Sequence, residues 1–252
     1  MFTFTTKRKG SYYNIFKISD MNVVITGASK GLGKAIAGSF ASQGATLFLC
    51  ARNESVLNET GALIAKQYPQ SVVHCFAADL SVKEQVISFA DFCLKSGTPD
   101  VLINNAGTYL PGNCFDEPDG TLEQLMQVNV YSAYHLTRKL VPLMIERKSG
   151  HIFNICSVAS LKAYEGGGGY SMSKFALYGF SQNLRQELLQ HGIKVTAVLP
   201  GAVMTDSWAG FDNSSNRIME AGDIAKMVLA ATQLSKQAVV EDIVIRPQLG
   251  DL

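Results

Sequence analysis

Seven short apolar runs alternate with six longer stretches whose apolar residues recur at helical spacing, and this rhythm governs what the 252-residue chain can fold into. The runs are Asn22–Thr26, 45–50, 71–77, 100–104, 151–156, 193–199 and Asp242–Ile245; the helical stretches are 32–43, 54–67, 82–96, 121–147, 170–190 and 221–234. The runs lack polar alternation, as expected of strands covered on both faces. Strands alternating with helices imply a parallel sheet whose right-handed crossovers lay helices on each side. The expectation is an α/β fold: a doubly wound, seven-stranded parallel sheet in a single domain over 21–252. Residues 1–20 are polar and aromatic without clear period, and Met21 falls directly before the first run. They read as an N-terminal extension, either disordered beyond an upstream start or a short packed or swapped arm.

Composition narrows the function classes. A formal net charge of +1 gives no electrostatic case for nucleic acid or an anionic membrane. No apolar run reaches about 18 residues, the length a spanning helix needs, and the N-terminus lacks the apolar core of a signal peptide. The five cysteines are scattered and never form a CxxC pair. This points to reduced thiols in a cytoplasmic setting, without a disulfide frame. No His/Cys/carboxylate cluster has ligand spacing, so no metal is expected.

The first run enters Thr26-Gly27-Ala28-Ser29-Lys30-Gly31-Leu32-Gly33 and then a helical stretch. Glycines at such a turn let the backbone approach a pyrophosphate, which the helix N-terminus favours electrostatically. The bland alternative is an ordinary tight turn. The second run ends without an acid to hold a 2′-hydroxyl, and Arg52 follows it. Arg52 and Lys30 are either solvated surface charges or a cationic site for a 2′-phosphate; together they point to NADP(H). Asp79, before Leu80, either meets an adenine amino group or caps the following helix. Asn104-Asn105-Ala106-Gly107 ends the fourth run; its small residues suit a flat base or ribose, and its asparagines can tie strands together.

Tyr170 and Lys174 are four apart and share one helix face. A free phenol titrates near ~10, and an ammonium beside it lowers that value, at about 1.4 kcal/mol per pH unit. Ser157, at the end of the fifth run, can present a hydroxyl to the same point. Hydroxyl, phenol and ammonium converging on one atom suit proton transfer to a carbonyl oxygen. Tyr-x-x-x-Lys alone is a common accident on helices. Gly166–Gly169, directly before Tyr170, either widens a pocket or makes a loose turn.

Taken in order, Thr26-Gly-x-x-x-Gly-x-Gly33, Asp79, Asn104-Asn-Ala-Gly107, Asn129, Ser157, Tyr170-x-x-x-Lys174 and Pro200-Gly201 resemble the short-chain dehydrogenase/reductase family, in its compact single-domain branch. The resemblance implies that Tyr170 is the general acid, that Lys174 holds the nicotinamide ribose and depresses the tyrosine pKa, and that Ser157 orients the substrate carbonyl. It implies that Asn129 fixes a water leading to Lys174; the plain alternative is a side-chain-to-backbone hydrogen bond. Val203 would offer backbone groups to the carboxamide, and Thr205 would lie near the phosphates. The segment from Pro200 to Trp208 and the last run look like sepiapterin reductase-like members, which implies a pterin or dicarbonyl substrate. Trp208 either stacks on such a substrate or packs in the core. The segment 201–216 reads as a mobile lid. The function expected is an NADPH-dependent carbonyl reductase or alcohol dehydrogenase acting on a small-molecule carbonyl compound. The alternatives are a 3-oxoacyl thioester reductase and a non-catalytic NADP sensor. The resemblance also implies a homodimer or homotetramer built on helices 121–147 and 170–190.

Overall fold

The computed structural model describes residues 17–205, 212–213 and 216–251. Seven parallel strands form one sheet: β1 (Asn22–Thr26), β2 (Thr46–Ala51), β3 (Val72–Ala77), β4 (Val101–Asn104), β5 (Gly150–Ile155), β6 (Ile193–Pro200) and β7 (Asp242–Ile245), in the order β3-β2-β1-β4-β5-β6-β7. The helices are α1 (Gly31–Ala41), α2 (Glu54–Gln67), α3 (Lys83–Leu94), α4 (Thr121–Met126), α5 (Ser132–Arg147), α6 (Gly168–Leu188) and α7 (Ala221–Thr232). The order reverses at β1, which pairs with β2 on one side and β4 on the other. The chain therefore leaves these strands in opposite directions and opens a crevice at their C-terminal ends.

Alternate strand residues feed two core layers. Val23, Ile25, Leu47 and Leu49 pack with Ile36 and Phe40 of α1, Leu57 of α2 and Val228 of α7. Val24, Phe48, Leu102 and Ile152 pack with Phe89 of α3, Leu140 of α5 and Leu188 of α6. Each such side chain, fully removed from water, contributes about 1.5–3 kcal/mol. The inner strands are buried on both faces. The edge strands are not: Val72 of β3 and Val244 of β7 stand half-exposed, because each edge has one flanking strand instead of two.

The structure revises three boundaries. Ile18 and Met21 are buried in the first core layer, so the packed chain reaches upstream of residue 21. Helix α6 begins at Gly168, ahead of Tyr170. The stretch 121–147 is not one helix: a π-helical segment, Gln127–Tyr131, separates α4 from α5. Among the described residues no helix is long and apolar enough to cross a membrane, and no group of three potential ligands could hold a metal ion. All five cysteines are free thiols.

Candidate active site

The glycine turn after β1 is shaped by what its glycines touch. Gly27 and Gly31 adopt φ of 64° and 54°, a region that favours residues without a Cβ. A Cβ on Gly33 would run into the Gly27 carbonyl oxygen and come within 2.6 Å of Asn105 Nδ2. Asn105 Nδ2 donates to the carbonyls of Thr26 and Gly27, at 2.9 and 3.0 Å. Thr26 Oγ1 accepts from the N–H groups of Asn105 and Ala106, each at 2.9 Å. The turn is thus knitted to the end of β4. Beside it, Asn104 Nδ2 donates to Asn154 Oδ1 at 2.8 Å, and Asn154 donates to Ser181 Oγ, so β4, β5 and α6 share one buried chain of bonds. Lys30 precedes α1 and its side chain does not cap it; Leu32 is buried; the Ser29 carbonyl accepts from Thr60 Oγ1 at 2.7 Å. A Cβ on Gly31 would lie 3.3 Å from Thr205 Cγ2, which puts Thr205 opposite the turn.

Arg52 and Asp79 follow the C-terminal ends of β2 and β3, which run side by side. Asp79 Oδ1 accepts from Ser81 Oγ at 2.7 Å and Ser81 N at 2.9 Å. These bonds, with a smaller contribution from Arg52, hold its carboxyl below the usual range. Of the two sequence readings of Asp79, this oxygen serves the turn into α3, and Leu80 behind it is buried. On the far side, Gly201 N donates to the Ile245 carbonyl, and Val203 bridges to Met219. Pro200 is the last residue of β6. Trp208 and half of the expected lid, residues 206–211, 214 and 215, lie outside the described residues.

The sequence places Ser157, Tyr170 and Lys174 together, and the structure does so by dense bonding. Ser157 caps a 3-10 turn, Val158–Ser160, through Ala159 N to its Oγ at 3.1 Å. That turn is bolted to α6: Ser160 Oγ donates to the Lys174 carbonyl and Ser171 Oγ to the Ala159 carbonyl. The Ser157 hydroxyl is close enough to the Tyr170 phenol to lower its pKa. Lys174 Nζ lies 5.8 Å from the Tyr170 ring centroid and donates to the Ile155 carbonyl at 2.8 Å.

The expected electrostatics are corrected in direction. Burial raises the Tyr170 pKa, against a lowering contribution from Ser157. Lys174 is buried, so its own pKa is lowered, and its ammonium donates to the Ile155 carbonyl instead of the phenol oxygen. Asn129 sits in the π-helical segment, whose wider turn carries it inward to full burial. Its Oδ1 accepts from Thr108 N at 2.7 Å, and its Nδ2 donates to the Thr108 carbonyl and to Ser173 Oγ. Ser173 Oγ in turn donates to the Tyr170 carbonyl. A Cβ on Gly107 would come 3.2 Å from Asn129 Oδ1 and 3.5 Å from Lys174 Nζ, so that glycine keeps the two groups in one space.

Two aromatic neighbours and one acid escaped the sequence reading. The Tyr109 ring stands edge-on to Tyr170, centroids 4.8 Å apart, and Tyr164 lies close enough to Tyr109 that burial and this neighbour together raise its pKa. Glu117 Oε2 accepts from Gly169 N at 3.0 Å. Of the two readings of the glycine tract, its start is a turn: Gly166 has a φ of 72° and Gly167 N donates to the Tyr164 carbonyl, while its end is tightly packed. A Cβ on Gly168 would strike the Gly112 carbonyl oxygen and sit 2.6 Å from Glu117 Oε2. The tract is where loop 105–120 presses on the start of α6. The run of four glycines was the available signal that something approaches closely there.

Known proteins are similar to this chain over most of its length. A family model described as short chain dehydrogenase matches residues 21–215. An uncharacterized oxidoreductase of Staphylococcus epidermidis is 33% identical over 238 residues, which covers 92% of this chain and 99% of its own. A metagenomic short-chain oxidoreductase solved in complex with NADP is 31% identical, with a TM-score of 0.79 over 90% of this chain and 97% of the other. L-sorbose reductase from Gluconobacter frateurii, solved with NADPH and L-sorbose, is 27% identical, with a TM-score of 0.84 over 92% and 97%. A glycine turn knitted to an Asn-Asn-Ala-Gly strand end, a serine beside a tyrosine one turn before a buried lysine, and relatives that match nearly end to end agree: the chain belongs to the short-chain dehydrogenase/reductase family.

Proposed function

We propose that this protein is an NADPH-dependent carbonyl reductase in which Tyr170 delivers the proton to a ketone or aldehyde oxygen. The observation that carries the reading is the buried Tyr170 phenol, with the Ser157 hydroxyl lowering its pKa against the larger effect of burial and Lys174 Nζ 5.8 Å from the ring centroid. The glycine turn fits a dinucleotide, since only glycines let it fold this tightly against Asn105 and Ala106, and so does the first turn of α1, which Lys30 does not cap. In this reading the N–H groups of residues 31–33 face the pyrophosphate and Thr205 approaches it from across the cleft. Arg52 and Lys30 face the 2′-phosphate, which favours NADPH over NADH. Val203 offers backbone groups to the carboxamide. When bound, the nicotinamide supplies the hydride.

The chain's own residues supply the proton. Burial keeps the Tyr170 phenol protonated at neutral pH, which suits a donor. Ser157 fixes the carbonyl oxygen beside that phenol. As the proton leaves, the phenolate gains from the nearby Lys174 ammonium and the Ser157 hydroxyl. Lys174 keeps N–H groups beyond its bond to Ile155 for a ribose hydroxyl. Asn129 Oδ1 accepts one backbone bond and can take a second from a water on the path to Lys174. The test is NADPH oxidation with a panel of diketones and pterins. Tyr170→Phe is expected to lower kcat by roughly 100-fold or more while NADPH affinity stays within about twofold. Equal turnover in that variant would sink the catalytic role of Tyr170 and favour a sensor.

A further inference from the structure

We infer that Glu117 is a positioning residue for Tyr170: it caps, from 52 residues away, the helix turn that carries the proton donor. The inference rests on the catalytic reading of Tyr170 given above. Helix α6 begins on Gly168-Gly169, and Gly167, which precedes it, supplies no side-chain cap. Glycine is the weakest helix former after proline, so a first turn built this way frays unless something outside it holds it. Glu117 does so, with Oε2 on Gly169 N at 3.0 Å, one residue before Tyr170.

The cap is part of a wider clasp. Gly112 N donates to the Gly166 carbonyl at 3.0 Å, and Gly166 N donates to Asn113 Oδ1 at 3.2 Å. Gly112 has no room for a side chain, since its Cβ would come 2.8 Å from Glu117 Cβ. A Cβ on Gly169 would lie 3.0 Å from Glu117 Oε1 and 3.2 Å from Leu125 Cδ1. The glycines thus admit the carboxylate. The same loop holds the other end of the turn, because Thr108 binds Asn129, which binds Ser173, which binds the Tyr170 carbonyl. Tyr109 of that loop meets the Tyr170 ring directly. One loop therefore fixes Tyr170 before and after its own position, and Glu117 is its only charged contact with the glycine tract among the hydrogen bonds of the described residues.

The experiment compares Glu117→Ala and Glu117→Gln in the full chain, with NADPH and the best diketone of the panel. An amide oxygen still accepts from Gly169, so Glu117→Gln is expected to keep most of kcat. Glu117→Ala is expected to lose about tenfold in kcat, with NADPH affinity within about twofold. Amide exchange at residues 169–173, which needs no turnover, is expected to quicken about tenfold in Glu117→Ala alone. An unchanged kcat in Glu117→Ala, a Gln variant as impaired as the Ala variant, or NADPH affinity falling in step with kcat would overturn the inference. Faster exchange with no carbonyl reduction by the parent chain would leave the cap standing and count against the reductase reading instead.

Discussion

Helices α1 and α6 both begin on glycines, and neither is capped by the side chain of the residue before it. At α1 the glycines fold the turn back on β1 and β4, against the Gly27 carbonyl and Asn105. At α6 the matching space is filled by the protein itself, with the Glu117 carboxylate on Gly169 and the Gly112 carbonyl against Gly168. The same residue type thus lets one helix start close on the neighbouring strand ends and the other on a distant loop; in the proposed reading only the first also admits a cofactor. A glycine run announces close approach; it does not say what approaches.

Three measurements test this contrast. Gly33→Ala is expected to have the largest effect, because its Cβ meets backbone oxygen at Gly27 and cannot be relieved by a rotamer change. It should destabilise the fold by about 1–3 kcal/mol and weaken NADPH binding roughly 100-fold, read by calorimetric titration. Gly168→Ala is expected to cost a similar 1–3 kcal/mol or so in stability. It should lower kcat about tenfold and leave NADPH affinity nearly unchanged. If it weakened NADPH binding as Gly33→Ala does, the two helix starts would not be functionally distinct.

The smallest effect at neutral pH concerns the sheet beneath both. His151 of β5 is buried against Phe153, with Nε2 2.8 Å from Thr196 Oγ1. Burial pushes its pKa down to about 3. The unfolded chain takes up this proton below about 6.5 while the folded chain does not, so unfolding gains as pH falls from 6.5 toward 3. Stability should fall by up to about 1.4 kcal/mol per pH unit in that window. Urea melts at pH 7 and pH 5 should show a shallower loss in His151→Gln, and the penalties at Gly33 and Gly168 should add to it independently.

Much of this was legible in the chain. β1 and β7 fall on the expected residues, because apolar β-branched runs between turns leave few other options. Ser157, Tyr170 and Lys174 converge because serine hydroxyls at 157, 160 and 171 tie the 3-10 turn to α6. The sign of the phenol shift was not legible. It depends on whether the Lys174 ammonium reaches the phenol oxygen or the Ile155 carbonyl, a matter of a few ångströms. Glu117 was not legible either, since an acid in a polar loop reads as a solvated charge until its partner 52 residues on is known. Nor was the break in the stretch 121–147, where helical periodicity runs on through a turn that tertiary bonds to Thr108 widen.

That widened turn has a consequence for how the chain can change. A π turn houses one residue more than an α turn, and each helical residue advances the side chains by about 100°. The surplus residue between Gln127 and Tyr131 therefore sets the phase of α5 independently of α4. Losing it would act as a rotation more than a shortening: the Leu136, Leu140 and Met144 stripe would swing off the sheet while Asn129 stayed tied to Thr108. Insertions and deletions are usually tolerated in loops and resisted in strands, yet here a helix interior is the place where the count of residues is fixed most strictly.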